Sequence, residues 1–398
     1  MNTQTNYDKQ HLSLGEKTLF ASCYYLFFVT GGFALLVGAI IPYMRETYNL
    51  SYQITGLLIS FHAFGSLISS FVGGIIPVYL GRKISILLLS SAAVIGFILM
   101  TLTGNSFFLL LAFFLTGINK GAISNFGNTI VNDIATGKAW AQNLLHSMFA
   151  IGAFVSPFVA LFFTHGNTHG WVYAVLIWAF LCFTELIVLT RLKIPNNFPM
   201  HKKSQKMNLG FLKNKYYLTA CLILFFYAAA EQSINGFLVT YFKDSGIMSG
   251  TFAQIMAGLL WVVILIGRLT NAYISNFIEK SKLLLINGIG YLIFFVVLLS
   301  SKSLVPAAIG IIGVGFCMAS LYPTTISGVG LILKEYPLAL SFTLAFPGIG
   351  AIVMPTIIGA VADNVGIIGG MSIVVIAVIF TLALIIYNAY IHRNVVTM

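Results

Sequence analysis

Residues 152–157 read Gly-Ala-Phe-Val-Ser-Pro, and residues 350–355 read Gly-Ala-Ile-Val-Met-Pro. The two stretches are 198 residues apart, which is close to half of the 398-residue chain. One shared offset that also superimposes apolar segments and their breaks is typical of an internal duplication. We therefore expect two copies of one unit, related by a pseudo-twofold axis, with a seam between them. The same offset carries Tyr43 onto Tyr241, Ser51 onto Ser249, Arg82 onto Lys280 and Gly117 onto Gly315.

The composition is that of a membrane protein. Hydrophobic residues make up 59% of the chain and charged residues 8%, against roughly 45–50% and about 25% in soluble domains. A membrane span needs about 20 apolar residues, and the sequence predicts an all-α protein with twelve such spans. They lie near 18–44, 53–79, 84–103, 106–132, 138–164, 171–192, 215–243, 250–277, 282–300, 305–331, 337–361 and 368–391.

The spans divide into two predicted six-helix bundles, residues 1–192 and 215–398, joined by a linker at 193–214. The linker contains Pro195 and Pro199 followed by the basic residues Lys202 and Lys203. Such a segment is either a tether beside anionic lipid headgroups or a binding site for a regulator. We expect the protein to be a monomer.

The basic residues are distributed unevenly between the two sides of the membrane. With the N-terminus inside, 16 of the 21 Lys and Arg residues fall in inner loops and tails, and three, Arg45, Lys243 and Lys302, fall in outer loops. This bias follows the positive-inside rule, so we expect both termini to be cytoplasmic in the cell membrane. No removable signal peptide is predicted, because the first seventeen residues are polar.

Several functional classes are disfavoured by the sequence. The four cysteines lie inside spans without paired spacing, so neither a disulfide framework nor a metal site is predicted. No nucleotide-binding loop, cofactor motif or Ser/His/Asp arrangement is present, and no loop can fold as a catalytic domain. We therefore expect no cofactor, no enzymatic activity and no nucleic-acid partner despite the net charge of +11.

Lys120 lies near the middle of a predicted span, where a charge costs roughly 2.5–3.5 kcal/mol. Steps of four residues place Ser124, Asn128 and Asn132 on the same helix stripe, with Asn125 close by. The stripe is therefore not a lipid-facing surface. Lys120 either pairs structurally with a buried carboxylate or lines a wet central cavity.

Glu231 and Arg268 are the other two charges that we single out inside spans. A carboxyl group in a low dielectric favours its neutral form, so Glu231 can load and release a proton, or it can form a permanent salt bridge or hydrogen bond. If Lys120 faces Glu231 across the seam, each offsets the desolvation of the other. For Arg268 there are two interpretations: it contacts the substrate or a gate, or its side chain snorkels to the inner surface.

The predicted spans also contain two histidines, His62 and His146. Each is either a core histidine with satisfied hydrogen bonds or a group that binds a proton or substrate, and the second interpretation is stronger for His146.

Residues 74–83 resemble the loop signature of the major facilitator superfamily, Gly-x-x-x-Asp-Arg-x-Gly-Arg-Lys. Gly74, Gly81, Arg82 and Lys83 fit this signature, while residues 78 and 79 are Val and Tyr where the family has Asp and Arg. Two six-span halves with a basic central linker also resemble this family. The resemblance implies a secondary transporter that works by alternating access.

The pattern Asn143-x-x-His146-x-x-Phe149, together with Glu231, Trp261 and Gly267-Arg268, is similar to the fucose/glucose:proton symporter branch. This resemblance implies proton-driven sugar uptake, a cavity lined by spans 1, 4, 7 and 10, and rocking of the two halves. Lys120 leaves an acidic sugar or another small anion or zwitterion open as the substrate. The repeated stretch at 152–157 also loosely resembles the drug antiporter signature, and its echo at 350–355 favours a packing role.

We interpret the chain as a proton-coupled symporter of a sugar or another small polar or anionic solute, with the lipid bilayer as its environment. The alternatives are a proton antiporter that exports drugs or metabolites and, from another class, a nutrient sensor. We assign proton coupling to Glu231. The predicted substrate-binding residues are Lys120, Asn125, Asn128, Asn143, His146, Tyr227, Asn235 and Tyr322, and the predicted gating residues are Arg82, Lys83, Arg268 and Asp363.

Overall fold

The computed structural model describes residues 13–135, 139–194 and 209–396, and the described chain is helical apart from short turns and connections. Most of the predicted linker, residues 195–208, lies outside the described residues. Short 3₁₀ turns occupy Thr168–Gly170 and Gly210–Lys213. The helices are α1 Leu14–Tyr48, α2 Tyr52–Leu102, α3 Ser106–Ile134, α4 Ala139–Thr164, α5 Trp171–Arg191, α6 Lys215–Asp244, α7 Gly250–Ile274, α8 Lys280–Ser300, α9 Leu304–Gly328, α10 Gly330–Glu335, α11 Pro337–Ser372 and α12 Val374–Val396.

Several helices begin at a polar side chain that caps their first turn. Ser51 precedes α2 and its hydroxyl accepts a hydrogen bond from the Ile54 N–H, while Ser249 precedes α7 and accepts from Phe252. These groups satisfy backbone donors that the first turn of a helix leaves unpaired. Ser51 and Ser249 are also 198 residues apart, so the duplicated sequence uses the same start signal in both copies.

Ten helical segments among the described residues are long and apolar enough to cross a membrane. Two of them, 52–102 and 338–391, have 51 and 54 residues, more than twice the length of about 20 that a span requires. Each contains one glycine with non-helical backbone angles, Gly81 with φ 76° and Gly366 with φ 79°. Positive φ is accessible to glycine without strain, so a sharp break is possible at these two positions. The breaks fall between the predicted spans 53–79 and 84–103, and between 337–361 and 368–391.

Large apolar side chains cover much of the outer surface of the helices. Phe107, Phe162, Leu269 and Val365 are all more than 60% exposed. A contiguous apolar surface of this kind is unfavourable in water and suits contact with lipid chains. The exterior therefore agrees with the predicted membrane location.

The repeated stretch, residues 152–157 and 350–355, forms two equivalent helix contacts. A Cβ atom at Gly152 would lie 1.9 Å from the Phe28 carbonyl oxygen, so α4 touches the backbone of α1 there. A Cβ atom at Gly350 would lie 2.1 Å from the Phe225 carbonyl oxygen, in the matching contact of α11 with α6. Small residues allow helices to approach this closely in lipid. The repeat thus marks a packing contact in each half.

The first half (residues 13–192) and the second half (residues 215–396) are hydrogen-bonded to each other near the ends of α1 and α6. Asp244 at the end of α6 accepts from Arg45 Nη2 at 2.6 Å and from the Tyr52 hydroxyl at 3.0 Å. Asp363 on α11 accepts from the backbone N–H groups of Tyr52 and Gln53 at the start of α2. We call the region around Arg45, Tyr52, Asp244 and Asp363 the closed end of the molecule.

Candidate functional site

A cavity of about 190 Å³ lies at the seam between the two halves, as the sequence predicts. It is smaller than the roughly 300–1,000 Å³ of pockets for drug-sized ligands, so it suits a small solute. Residues of α1, α3 and α4 line it from the first half, and residues of α6 and α7 line it from the second half. The lining residues are Ala34, Leu35, Val37, Gly38, Lys120, Phe149, Glu231, Gln232, Asn235, Gly236, Trp261 and Arg268.

This set of helices differs in part from the set that the resemblance implies. The helices α1, α3 and α6 correspond to predicted spans 1, 4 and 7. Among the described lining residues none comes from α9, which corresponds to predicted span 10, and α4 and α7 take part instead. The expectation for span 10 therefore needs correction, because Phe149 of α4 and Trp261 and Arg268 of α7 contribute to the lining and no described residue of α9 does.

Glu231 lines the cavity from the middle of α6. The hydroxyl of Tyr227, one helical turn earlier, donates a hydrogen bond to Glu231 Oε1 at 3.0 Å. The Tyr227 ring is buried and lies 6.1 Å from the ring of Tyr322 on α9, measured between centroids. Tyr227 and Tyr322, both predicted to bind substrate, therefore lie behind Glu231 and do not line the cavity.

Lys120 on α3 and Arg268 on α7 line the same cavity from opposite halves. Glu231 interacts electrostatically with Arg268 and, more weakly, with Lys120. Within the described ranges, neither Lys120 nor Arg268 forms a hydrogen bond or a salt bridge closer than 4.0 Å. The predicted proximity of Lys120 and Glu231 is thus present, but not as a closed ion pair.

Aromatic and amide side chains complete the cavity. The rings of Phe149 and Trp261 lie 6.1 Å apart between centroids, one from each half. Trp261 is 5% exposed, and its Nε1–H has no hydrogen-bond partner in the described part of the chain. The side-chain oxygen of Asn235 is likewise buried and unpaired among the described residues. The wall therefore offers both donors and an acceptor beside an apolar surface.

Close contact of two helices positions this wall. A Cβ atom at Gly38 of α1 would lie 1.9 Å from the backbone carbonyl oxygen of Asn235 on α6. Only a residue without a side chain permits this approach of one half to the other. It places the amide of Asn235 and the carboxyl of Glu231 next to α1 across the seam.

Three predicted substrate-binding residues, Asn125, Asn128 and Asn143, do not line the cavity. The Asn125 amide donates to the Ser70 carbonyl on α2 at 2.9 Å, and the Asn128 amide donates to the Ser124 carbonyl at 2.7 Å. Asn143 is exposed on α4. Although Asn128 shares the Lys120 stripe, its amide binds its own backbone.

The two histidines in spans have different surroundings. The ring of His146 on α4 is exposed, packs edge-on against Phe27 at 5.7 Å and interacts electrostatically with Arg268. It is not among the residues that line the cavity. His62 on α2 is fully buried. Its Nδ1 lies 3.0 Å from the Thr116 hydroxyl, while its Nε2 has no hydrogen-bond partner among the described residues, so it is only partly satisfied as a core histidine.

The predicted gating residues lie at three different depths. Arg82 follows the break at Gly81 and pairs with Asp133 at the end of α3 at 2.9 Å, while Lys83 donates to the Thr190 carbonyl at 2.6 Å. Asp363 lies at the closed end, and Arg268 lies in the cavity. The predicted gating residues therefore do not form one cluster: Arg82 and Lys83 lie together, Asp363 lies at the closed end, and Arg268 lies in the cavity.

Sequence reasoning missed Glu185, a buried carboxyl group in α5. Its side chain is 0% exposed, accepts from the Asn119 amide at 3.3 Å, and has no Lys, Arg or His within 4.0 Å in the described part of the chain. Asn119 also donates to the Ser90 carbonyl, which connects α3 with α2. The signal was available, because Glu185 is a charge inside a predicted span, as Glu231 is.

The pair of charges at the end of α1 was also missed. Arg45-Glu46 and Lys243-Asp244 occupy positions 198 residues apart, each a cation followed by an anion. The duplication predicts that they are equivalent, but sequence carries no information on whether they meet. In the structure Arg45 pairs with Asp244, and Glu46 pairs with Lys243.

Comparison with known protein families decides the class. The family model of the Major Facilitator Superfamily matches residues 23–247, more than half of the chain. The chain belongs to the Major Facilitator Superfamily. This family assignment confirms the resemblance seen in the loop signature at residues 74–83.

Relatives and solved structures from this superfamily match along most of the chain. A putative glucose/galactose transporter of Helicobacter pylori is 24% identical over 383 residues, which is 88% of this chain and 89% of the relative. A glucose/galactose transporter of Brucella abortus is 23% identical over 393 residues, 92% of each protein. The crystal structure of a D-xylose–proton symporter superimposes with a TM-score of 0.76 at 14% identity, covering 94% of this chain and 96% of the other.

These matches establish an all-helical, multi-pass membrane transporter of the Major Facilitator Superfamily that acts on a small-molecule substrate. Because the relatives and the structural neighbours are transporters, they confirm the prediction that the chain is not an enzyme. The likeness to the D-xylose–proton symporter supports the fold alone at this level of identity.

Proposed function

We propose that this protein is a secondary active symporter that uses a proton gradient to take up a sugar or a similar small polar solute. The observation that carries the proposal is the cavity at the seam, which Glu231 and Arg268 line from the second half and Lys120 lines from the first half. The glucose/galactose transport named for the relatives supports a sugar-like substrate.

The proposed topology has twelve crossings in two six-helix domains, residues 1–192 and 215–398. The breaks at Gly81 and Gly366 support this count, because each divides a double-length segment into two parts of at least 20 residues. An even number of crossings places both termini on the same side. The excess of basic residues in the inner loops supports a cytoplasmic location for both termini in the cell membrane.

In this orientation the closed end faces away from the cytoplasm. Ion pairs and hydrogen bonds between the halves gather at that end. Among the described residues, the hydrogen bonds between α2 and α11 begin there at Asp363 and extend no further than Ser60, whose hydroxyl donates to the Ile352 carbonyl and lies within hydrogen-bond distance of the Thr356 hydroxyl. The structure is therefore consistent with a conformation that opens toward the cytoplasm. Transport requires the opposite conformation as well, in which the halves rock and the contacts at the closed end separate.

Glu231 is proposed as the proton-binding group. Its carboxyl lies inside the membrane-spanning region, is held by Tyr227, and is close enough to Arg268 and Lys120 to exchange a proton for an electrostatic interaction. A carboxylate that is paired in one conformation and protonated in the other can couple proton movement to rocking. Of the predicted substrate-binding residues, Lys120 and Asn235 are the two that the cavity supports. Arg268 is proposed to contact both the substrate and Glu231.

The test is transport by purified protein in proteoliposomes. We expect Glu231→Gln to abolish accumulation driven by an inward proton gradient while counterflow exchange of preloaded sugar continues, because glutamine keeps hydrogen bonding but cannot titrate. Glu279→Gln is the matched control, since Glu279 is an exposed carboxylate outside the cavity. Full gradient-driven accumulation by Glu231→Gln would exclude its coupling role.

A further inference from the structure

We propose that the substrate of this cavity is a sugar acid, bound as a carboxylate by Lys120 and Arg268. The inference rests on the proposed transport function and specifies its substrate class. It starts from the charges that line the cavity, which are two cations and one carboxylate.

The charge balance of the cavity is incomplete for a neutral substrate. Glu231 can offset only one of the two positive charges, and its Oε1 already accepts a hydrogen bond from Tyr227. A further cation in a low-dielectric site is costly unless an anion compensates it. A substrate with one negative charge brings the cavity, with Glu231 ionised, to neutrality.

The hydrogen-bonding groups point to the same class of ligand. Lys120 and Arg268 can only donate, and within the described ranges neither has a hydrogen-bond partner. Trp261 is 5% exposed, and its Nε1–H is a third donor without a hydrogen-bond partner among the described residues. A carboxylate only accepts, and an arginine guanidinium matches its two oxygens in geometry.

The remaining walls suit a sugar ring. Phe149 and Trp261 present an aromatic pair, one ring from each half, against which the C–H face of a sugar can pack. The free oxygen of Asn235 can accept from a ring hydroxyl, and Gln232 adds a further amide. The aromatic pair and the two amides would therefore bind the sugar ring and its hydroxyl groups, while Lys120 and Arg268 would bind the carboxylate.

The experiment compares ligands that share a ring and differ in charge. Binding of D-glucuronate, D-glucose and D-glucosamine to the purified full-length protein is measured by isothermal titration calorimetry. We expect D-glucuronate to bind at least tenfold more tightly than D-glucose, and the cationic D-glucosamine to bind least. Equal or tighter binding of D-glucose, or no binding of D-glucuronate, would overturn the proposal.

Variants separate the cavity cations from general charge effects. Lys120→Gln and Arg268→Gln should each weaken D-glucuronate binding at least tenfold, and should weaken D-glucose binding by a smaller factor. Lys282→Gln is the control, because Lys282 is exposed and pairs with Glu279 outside the cavity. Folding is checked by the melting temperature without ligand, and Arg268→Lys, which keeps the charge, should recover part of the affinity. Unchanged D-glucuronate binding in both cavity variants would contradict the assignment.

Transport assays distinguish this inference from the proposed function on which it rests. Proton-driven accumulation of D-glucose with no accumulation of D-glucuronate would reject the sugar acid as substrate and leave the proposed proton symport intact. Accumulation of D-glucuronate supports both. If a proton gradient drives neither sugar, both the substrate class and the proposed function fail.

Discussion

Arg45 donates to Asp244 at 2.6 Å across the seam, and the residues next to them, Glu46 and Lys243, form a second ion pair with the charges exchanged between the halves. The two pairs are related by the 198-residue offset. In each copy a basic residue is followed by an acidic one. When a pseudo-twofold axis brings the two copies together, the basic residue of each copy pairs with the acidic residue of the other. The duplication thus produces a two-pair latch at the closed end.

Asp244→Asn should weaken this latch. Asp244 is 7% exposed at its side chain and accepts from both Arg45 and Tyr52, and hydrogen bonds to charged groups contribute about 1.5–3 kcal/mol. We expect a roughly ten- to hundredfold shift toward the conformation that is open at this end. The measurement is alkylation, from the outer side of membranes, of a cysteine introduced at Ser60, which is 2% exposed and donates across the seam to the Ile352 carbonyl.

A charge exchange provides the control for that experiment. Arg45→Asp combined with Asp244→Arg restores an ion pair in reversed order and should return alkylation toward the wild-type rate. If the single variant leaves alkylation unchanged, the ion pair does not hold the closed end.

Asp363 should act as a second, weaker part of the latch. Its carboxylate accepts from the N–H groups of Tyr52 and Gln53, which the first turn of α2 leaves unpaired, and an anion at a helix N-terminus contributes about 0.3–1 kcal/mol when exposed. Asp363→Ala should therefore increase the same alkylation about twofold to fivefold. Asn364→Ala is the neighbouring control, because Asn364 donates to its own helix at the Ala360 carbonyl. Equal effects of the two changes would rule out a specific role for Asp363.

Gly152 and Gly350 should tolerate no side chain. A Cβ atom would meet a backbone carbonyl oxygen at 1.9 Å and 2.1 Å respectively, so a substitution must separate two helices. We expect Gly152→Val and Gly350→Val each to destabilise the protein by about 1–3 kcal/mol, the usual cost of overpacking. Thermal unfolding in detergent checks this. Gly74→Val is the control, since no atom lies within 4 Å of its Cβ position, and a loss of stability there as large as at Gly152 would contradict the packing argument.

Glu185 should serve the fold of the first half rather than coupling. A fully buried ionised carboxylate without a cationic partner is very costly, so we expect Glu185 to be neutral and to act through hydrogen bonds with Asn119. Glu185→Gln should retain proton-driven transport and stability, whereas Glu185→Leu should lower stability by about 1–3 kcal/mol by leaving the Asn119 amide poorly satisfied. Loss of proton-driven accumulation in a stable Glu185→Gln variant would instead make Glu185 a second coupling site.

Sequence reasoning identified the charges of the cavity more reliably than its polar neutral residues. Lys120, Glu231 and Arg268 were singled out because a charge within a span needs a compensating environment, and all three line one cavity. Asn125 and Asn128 were predicted from their shared stripe with Lys120, but their amides bind the carbonyls of Ser70 and Ser124. An amide can be satisfied by any nearby backbone group, so its position along a helix does not determine what it contacts.

By itself, the sequence determined the membrane class, the duplication, most span boundaries and the family signature. These properties follow from local composition and from a repeat along the chain, because burying 20 apolar residues in lipid needs no information about neighbours. Only the tertiary structure decided that Arg45 pairs with Asp244, that Asp363 caps α2, and that α4 and α7 line the cavity in place of α9. Those outcomes depend on the rotation and depth of helices packed across the seam, which are set by contacts between residues distant in sequence.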